Sequence, residues 1–133
     1  MDLNNIEAGD IAETIAKQHE LERLGLNSPT SKVKSVSEDS SLGYDLVSIE
    51  SHENQQQIYI EVKSVGESGE FYISNNEINV LSALGNLGRI YLVSNKLRRV
   101  LKVIVCSSDL RQRLLLSPIN YRCSGENDVR KYT

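Results

Sequence analysis

Four consecutive large side chains, Ile90-Tyr91-Leu92-Val93, constrain this chain more than any other stretch. With no polar residue alternating among them, a strand built from 89–93 is buried on both faces. Such a strand needs a covering layer above it and another below. The flanking pattern supplies both. Ile6, Ala8, Ile11, Ala12, Ile15, Ala16, Leu21 and Leu24 recur at helical spacing, and Gly25 follows as a C-terminal cap. Asp10 with Glu13 matches a capping box, which puts the start of this helix near Asp10. A serine-rich loop then contains one short alternating strand over 32–36. The segments 45–49 and 56–65, separated by the polar turn 51–55, form an antiparallel hairpin. Ser74 and Glu77 make a second capping box, so a helix is predicted over 75–84. After 89–93 come another strand over 99–106 and a short helix capped by Ser108-Asp109, running to Leu116 and ended by Pro118. The expected fold class is α/β (α+β), a central mixed sheet of four to five strands flanked by helices. It forms a single domain over 1–120, with a polar tail over 121–133.

The 133 residues, 39% of them hydrophobic, suit one buried core. No stretch approaches the roughly 20 apolar residues of a membrane span, and the first residues lack a signal-peptide pattern. The expectation is a soluble cytoplasmic protein with no membrane partner, nucleoid-associated if it meets DNA and nuclear if eukaryotic. Cys106 and Cys123 form no Cys-x-x-Cys and have no histidine at ligand spacing, which excludes the usual zinc motifs. Charge is divided along the chain. Residues 1–80 hold 15 acids and 5 bases, whereas 81–133 hold 3 acids and 10 bases. This gives either an acidic half for cations and a basic half for phosphates, or two differently charged solvated faces.

The chemistry gathers on the hairpin. Along 57–63, Ile58, Ile60 and Val62 take one face while Tyr59, Glu61 and Lys63 take the other. Asp45, on the paired strand, lies across from Glu61, and cross-strand neighbours are about 5 Å apart. Two converging carboxylates suffice to hold Mg2+ or Mn2+, which keep open water positions. Beside such an ion, Lys63 could orient or deprotonate a water, or neutralise charge on phosphate. The chemistry this serves is phosphodiester hydrolysis by a metal-activated water. Spacing alone also allows a salt-bridge cluster on the solvent face of the hairpin.

Asp45 followed by Glu61-x-Lys63, after an initial helix, resembles the PD-(D/E)xK nuclease superfamily. Within it, residues 9–24 with Glu13 and Glu20, Gly43-Tyr44-Asp45-Leu46, Ile60-Glu61-Val62-Lys63 and Phe71-Tyr72-Ile73-Ser74-Asn75-Asn76-Glu77 are similar to the NO VEIN C-terminal domain family, over roughly 9–95. Tyr44 replaces the proline that names the superfamily motif, and proline has no metal chemistry. The resemblance implies a restriction-endonuclease-like core and a Mg2+-dependent nuclease acting on DNA. Its metal ligands would be Asp45 and Glu61, its catalytic lysine Lys63, and Glu13 an acid on the first helix placed for a second ion. It also implies, as the alternative, a non-catalytic nuclease-fold module that binds nucleic acid or docks onto an ATPase or helicase partner.

Several residues carry two readings. Glu13 either serves the site or caps the first helix, and Glu77 is read as the structural cap of the second. Glu20 either supports the site or makes a solvated ion pair on the helix surface. His19 and His52 are read as surface residues, and Tyr59 as packing against the sheet. Lys96, Arg98, Arg99 and Lys102, with Arg111 and Arg113 nearby, follow a nucleic-acid backbone or protect a solvated edge hairpin. A small nuclease with one site also favours a homodimer, for which the apolar run 100–105 is the candidate interface.

Overall fold

The computed structural model describes residues 3–25, 32–39, 42–116 and 122–126. Helix α1 (Leu3–Leu24) is followed by strands β1 (Lys34–Ser35), β2 (Leu46–Ile49), β3 (Gln57–Ser64) and β4 (Phe71–Tyr72). Then come α2 (Asn75–Leu84), a 3-10 turn (Gly85–Leu87), β5 (Gly88–Ser94) and β6 (Arg99–Val105). A single helical turn α3 (Leu110–Arg113), β7 (Leu114–Leu116) and β8 (Arg122–Glu126) complete the order.

Five strands form a mixed sheet in the order β1-β2-β3-β5-β6. The expected hairpin is present, with Leu46 opposite Ile60 and Ile49 opposite Gln57. Between β3 and β5 the chain crosses over through α2, so those two strands run parallel, Glu61 beside Ile90 and Lys63 beside Leu92. Strand β6 returns antiparallel to β5, with a register shift at Leu92/Val93.

Strand β5 is buried on both faces, as its sequence requires. Ile90 and Leu92 join Ile78 and Leu81 of α2, together with Phe71, Ile104 and Leu110, in one core. Tyr91 and Val93 join Ala12, Ile15 and Ala16 of α1, with Ile58 and Ile60, in the other. Each such aliphatic side chain removed from water contributes about 1.5–3 kcal/mol. Helix α2 begins as predicted, because Ser74 and Glu77 exchange both hydrogen bonds of the capping box.

Three expectations are corrected. Helix α1 starts at Leu3, a full two turns before Asp10. The Thr14 hydroxyl donates to the Asp10 carbonyl, so Asp10 is already helical, and Glu13 turns toward β1 instead of back to its own helix. The helix expected to reach Leu116 stops at Arg113, because 114–116 pairs as a strand with β8. Strand β8 itself lies in the segment read as polar tail. It joins β4 and β7 in a three-stranded sheet, a long-range pairing that no local pattern announces. Pro118 and residues 127–133 lie outside the described residues.

Candidate functional site

Alternation along β3 decides where the acids point. Ile58 and Ile60 pack against α1, so Tyr59, Glu61 and Lys63 face the α2 side of the sheet. Tyr59 packs edge-on against Tyr44, with centroids 5.0 Å apart, which is the packing role expected of it. Asp45 stands just ahead of β2 and is held by the main chain of β3. Its amide donates to the Ile60 carbonyl at 2.8 Å, and its Oδ2 accepts the Val62 amide at 2.8 Å. Gly43 makes this approach possible. It adopts φ +79, and a Cβ there would stand 2.9 Å from the Val80 side chain of α2.

Lys63 lies between two carboxylates. Its Nζ is 3.0 Å from Glu61 Oε2 and donates to Glu77 Oε1 at 2.8 Å. Glu77 Oε1 also accepts the Ser74 amide at 2.8 Å, so the capping glutamate of α2 belongs to the cluster as well. Its dual position follows from the crossover. A helix entered just after β3 puts its first turn over the end of that strand, where Lys63 emerges. The Ser-x-x-Glu signal located the helix start, but only the packing of α2 brings Glu77 to Lys63.

The charges are mutually dependent. Burial pushes Glu61, 3% exposed, well above the usual carboxylate range. Lys63 opposes the shift, while the Glu77 hydrogen bond and the Asp45 and Glu77 charges add to it. Asp45 is raised by burial too, only partly offset by Glu61, the Val62 amide and Lys63, and Glu13 raises it further. Burial acts upward on Glu77 as well, but hydrogen bonding from Glu61, the Lys63 charge and the Ser74 amide hold it below its ordinary value. For Lys63, burial acts downward and is outweighed by Glu61 and Glu77, which keep the ammonium charged. Of the acids around Lys63, Glu61 is the most desolvated and the one whose protonation burial favours most.

Glu13 approaches from α1. Its carboxylate accepts the hydroxyls of Ser35 and Ser37, the latter at 3.0 Å, and its charge is felt at Asp45. Glu20 is the clearest departure from the sequence reading. It is 0% exposed, and takes Arg23 through both oxygens, Ser48 at 2.8 Å and the Tyr91 hydroxyl at 2.6 Å. It is a buried tie between α1, β2 and β5, and no solvated pair. Burial alone would raise its pKa, yet the bonds from Arg23, Tyr91 and Ser48 together hold it below the ordinary value. Of the two histidines, His52 is exposed with its ring on the Leu24 carbonyl, and His19 stands edge-on to Tyr91. Lys96, Arg98 and Arg99 are exposed on the β5–β6 turn and the start of β6, and Lys102 lies on β6 opposite Leu92.

Residues 12–105 match the family described as Protein NO VEIN, C-terminal. The chain belongs to that family. Comparisons with curated proteins and with solved structures found no match. The matched span of this NO VEIN C-terminal domain runs from near the middle of α1 to the end of β6. It therefore contains Glu13, Asp45, Glu61, Lys63 and Glu77. Among the described residues, no group of three His, Cys, Asp or Glu side chains is arranged as a metal cage, and none of the helices is long and apolar enough to cross a membrane. The donor chemistry of Asp45 and Glu61, two hard carboxylates, nevertheless fits a magnesium-type ion. Such an ion is commonly held by one or two carboxylates and completed by water and substrate.

Proposed function

We propose that this NO VEIN C-terminal domain is a nuclease-like domain of the PD-(D/E)xK type, hydrolysing DNA phosphodiester bonds with Mg2+ or Mn2+. One observation carries the reading: Asp45 and Glu61, both raised by burial, meet beside a charged Lys63 at the end of β3. Buried acids gathered around a lysine are costly to a fold, and perturbed titrating groups concentrate at working sites. Asp45 and Glu61 would hold the cation, which when bound supplies Lewis acidity and offsets charge on the phosphoryl oxygens. Glu13, near Asp45 and held by two serine hydroxyls, is placed to support a second ion. Lys63, kept protonated by Glu61 and Glu77, offers a positive N–H donor to phosphate or to the attacking water. Glu77 orients that lysine. Lys96, Arg98, Arg99 and Lys102 supply charge for the phosphate backbone, so DNA affinity should fall steeply with salt.

The test is cleavage of linear, supercoiled and branched DNA with Mg2+ or Mn2+. Asp45→Asn, Glu61→Gln and Lys63→Met should each lower the rate by about 100-fold or more, the size typical of losing a positioned charge or proton-transfer group. Cutting that persists in all three variants overturns the reading.

A second reading is favoured by the edge of the sheet. Leu101, Val103 and Val105 are exposed on β6, which pairs on one side with β5. This edge suits docking onto an ATPase or helicase partner by a non-catalytic module, or pairing with a second copy of the chain. Binding of a partner that survives Asp45→Asn and Glu61→Gln, without cutting by the wild type, would favour it over hydrolysis.

A further inference from the structure

A cleft of about 330 Å3 opens between α1 and the β5–β6 turn, on the face of the sheet opposite Lys63 and Glu77. Arg98 and Arg99 stand on its strand side. Neither guanidinium makes a hydrogen bond or ion pair among the described residues, although arginines elsewhere in the chain are engaged, as Arg23 is with Glu20 and Arg89 with Glu50. Two adjacent guanidiniums present ten N–H donors in fixed planar forks, the geometry that matches phosphate. Arg98 also occupies the left-handed region, φ 56, which L residues rarely adopt outside functional or tightly constrained positions. A glycine would be at ease there, so the arginine stands against local preference.

The rest of the cleft is neither purely ionic nor purely apolar. Ile15 and Val100 give it an aliphatic floor, and Thr14, Gln18, His19 and the acid Glu22 stand on the helical wall, Glu22 without an ion pair to either arginine among the described residues. Gln18 spends one amide hydrogen on Glu22 at 3.3 Å and retains a second donor. Lys96, in the same turn, adds to the positive potential. The position matters too. Strands β3 and β5 run parallel, and Lys63 pairs with Leu92, so the β5–β6 turn leaves the sheet at the same end as the acids.

We propose that this cleft is a nucleotide subsite, in which Arg98 and Arg99 take a phosphate and the floor of Ile15 and Val100 receives the sugar or base attached to it. The volume lies at the small end of ligand pockets and suits a single nucleotide unit. That unit is either a free nucleotide or one residue of a nucleic-acid strand leading to the acids. Its being a nucleotide rather than another phosphate ester rests on the nuclease reading above.

The test is binding by the full chain in EDTA, where cutting does not occur. A short labelled single-stranded oligonucleotide is followed by fluorescence anisotropy and AMP by calorimetry. Arg98→Gly, which keeps the left-handed turn comfortable, and Arg99→Gln should each weaken binding about ten-fold, the loss of one charge-assisted hydrogen bond. Arginine-dependent binding of AMP identifies a free-nucleotide site, and arginine-dependent binding of the oligonucleotide alone identifies a strand subsite. Either result supports the proposal. Wild-type affinity in both arginine variants, or no binding of either probe by the folded wild type, overturns it. A protein that binds through these arginines yet never cuts with Mg2+ sinks the hydrolytic reading and leaves the cleft standing.

Discussion

Gly43 and Lys63 show how single residues set this site. At Gly43 a side chain would meet Val80 at 2.9 Å from a backbone of φ +79, so Gly43→Ala combines conformational strain with a clash. It should lower stability by about 2 kcal/mol, and shift Asp45 away from Val62. Urea unfolding and the exchange rate of the Val62 amide would read the two effects. Lys63 is the counter-charge of two acids, and Lys63→Met leaves the buried Glu61 and the half-buried Glu77 without it. The expected cost is about 3 kcal/mol. Adding Glu61→Gln should recover much of that loss, because the acid most in need of the lysine is then gone. A double-mutant cycle that comes out additive would mean the pair is uncoupled. These residues were legible in the sequence to different depths. Asp45, Glu61 and Lys63 could be read from alternation and order. Glu77 could be read only as a helix cap, because its second bond crosses 14 residues of chain to Lys63.

At the scale of elements, α1 is tied down by Glu20. That carboxylate joins Arg23 on its own helix to Ser48 on β2 and Tyr91 on β5, while Arg23 also donates to the Ile49 carbonyl at 2.6 Å. Glu20→Gln should cost about 2–3 kcal/mol at neutral pH. The sign with pH follows from the direction of each shift. The pKa of Glu20 is lowered on folding, so its contribution is present above the unfolded carboxylate value and is lost as pH falls through the folded one. Glu61 behaves oppositely. Its raised value gives stability that is present below the unfolded pKa and lost as pH rises through the folded pKa. In metal-free protein, Glu61→Gln should therefore stabilise at neutral pH, on the order of 1 kcal/mol, while removing activity. Thermal melts of both variants from acid to neutral pH would separate the two trends; parallel trends would refute the assignment.

For the whole molecule, the sheet has an unusual edge. Strand β6 carries Leu101, Val103 and Val105 outward, and the Arg113 side chain caps the Val105 carbonyl at 2.8 Å. Pairing of this strand with its copy would bury the apolar stripe and extend the sheet across two chains. Light scattering should then give twice the chain mass, and Val103→Lys should return it to the mass of one chain. A wild type already at single-chain mass at working concentration removes the dimer. The uneven charge of the chain also takes spatial form. Acids gather where β3 meets α2, and bases sit on the β5–β6 hairpin, at the same end of the sheet.

Local pattern determined what local interactions control. The apolar run 90–93 required a sheet covered on both faces, Ser74 with Glu77 fixed the start of α2, and the period of β3 put Glu61 and Lys63 on one side. Each of those signals acts within a few residues, through side-chain period or a backbone cap. Tertiary structure decided whatever depends on a partner far along the chain. It drew Glu20 into a buried bond with Tyr91, 71 residues away, and turned Glu13 to Ser35 and Ser37 in place of its own helix end. It made a strand of the polar segment Arg122–Glu126 by pairing it with β4 and β7. It also made the titration of the acids collective, because burial and neighbouring charge, which set their protonation, exist only once the layers have packed.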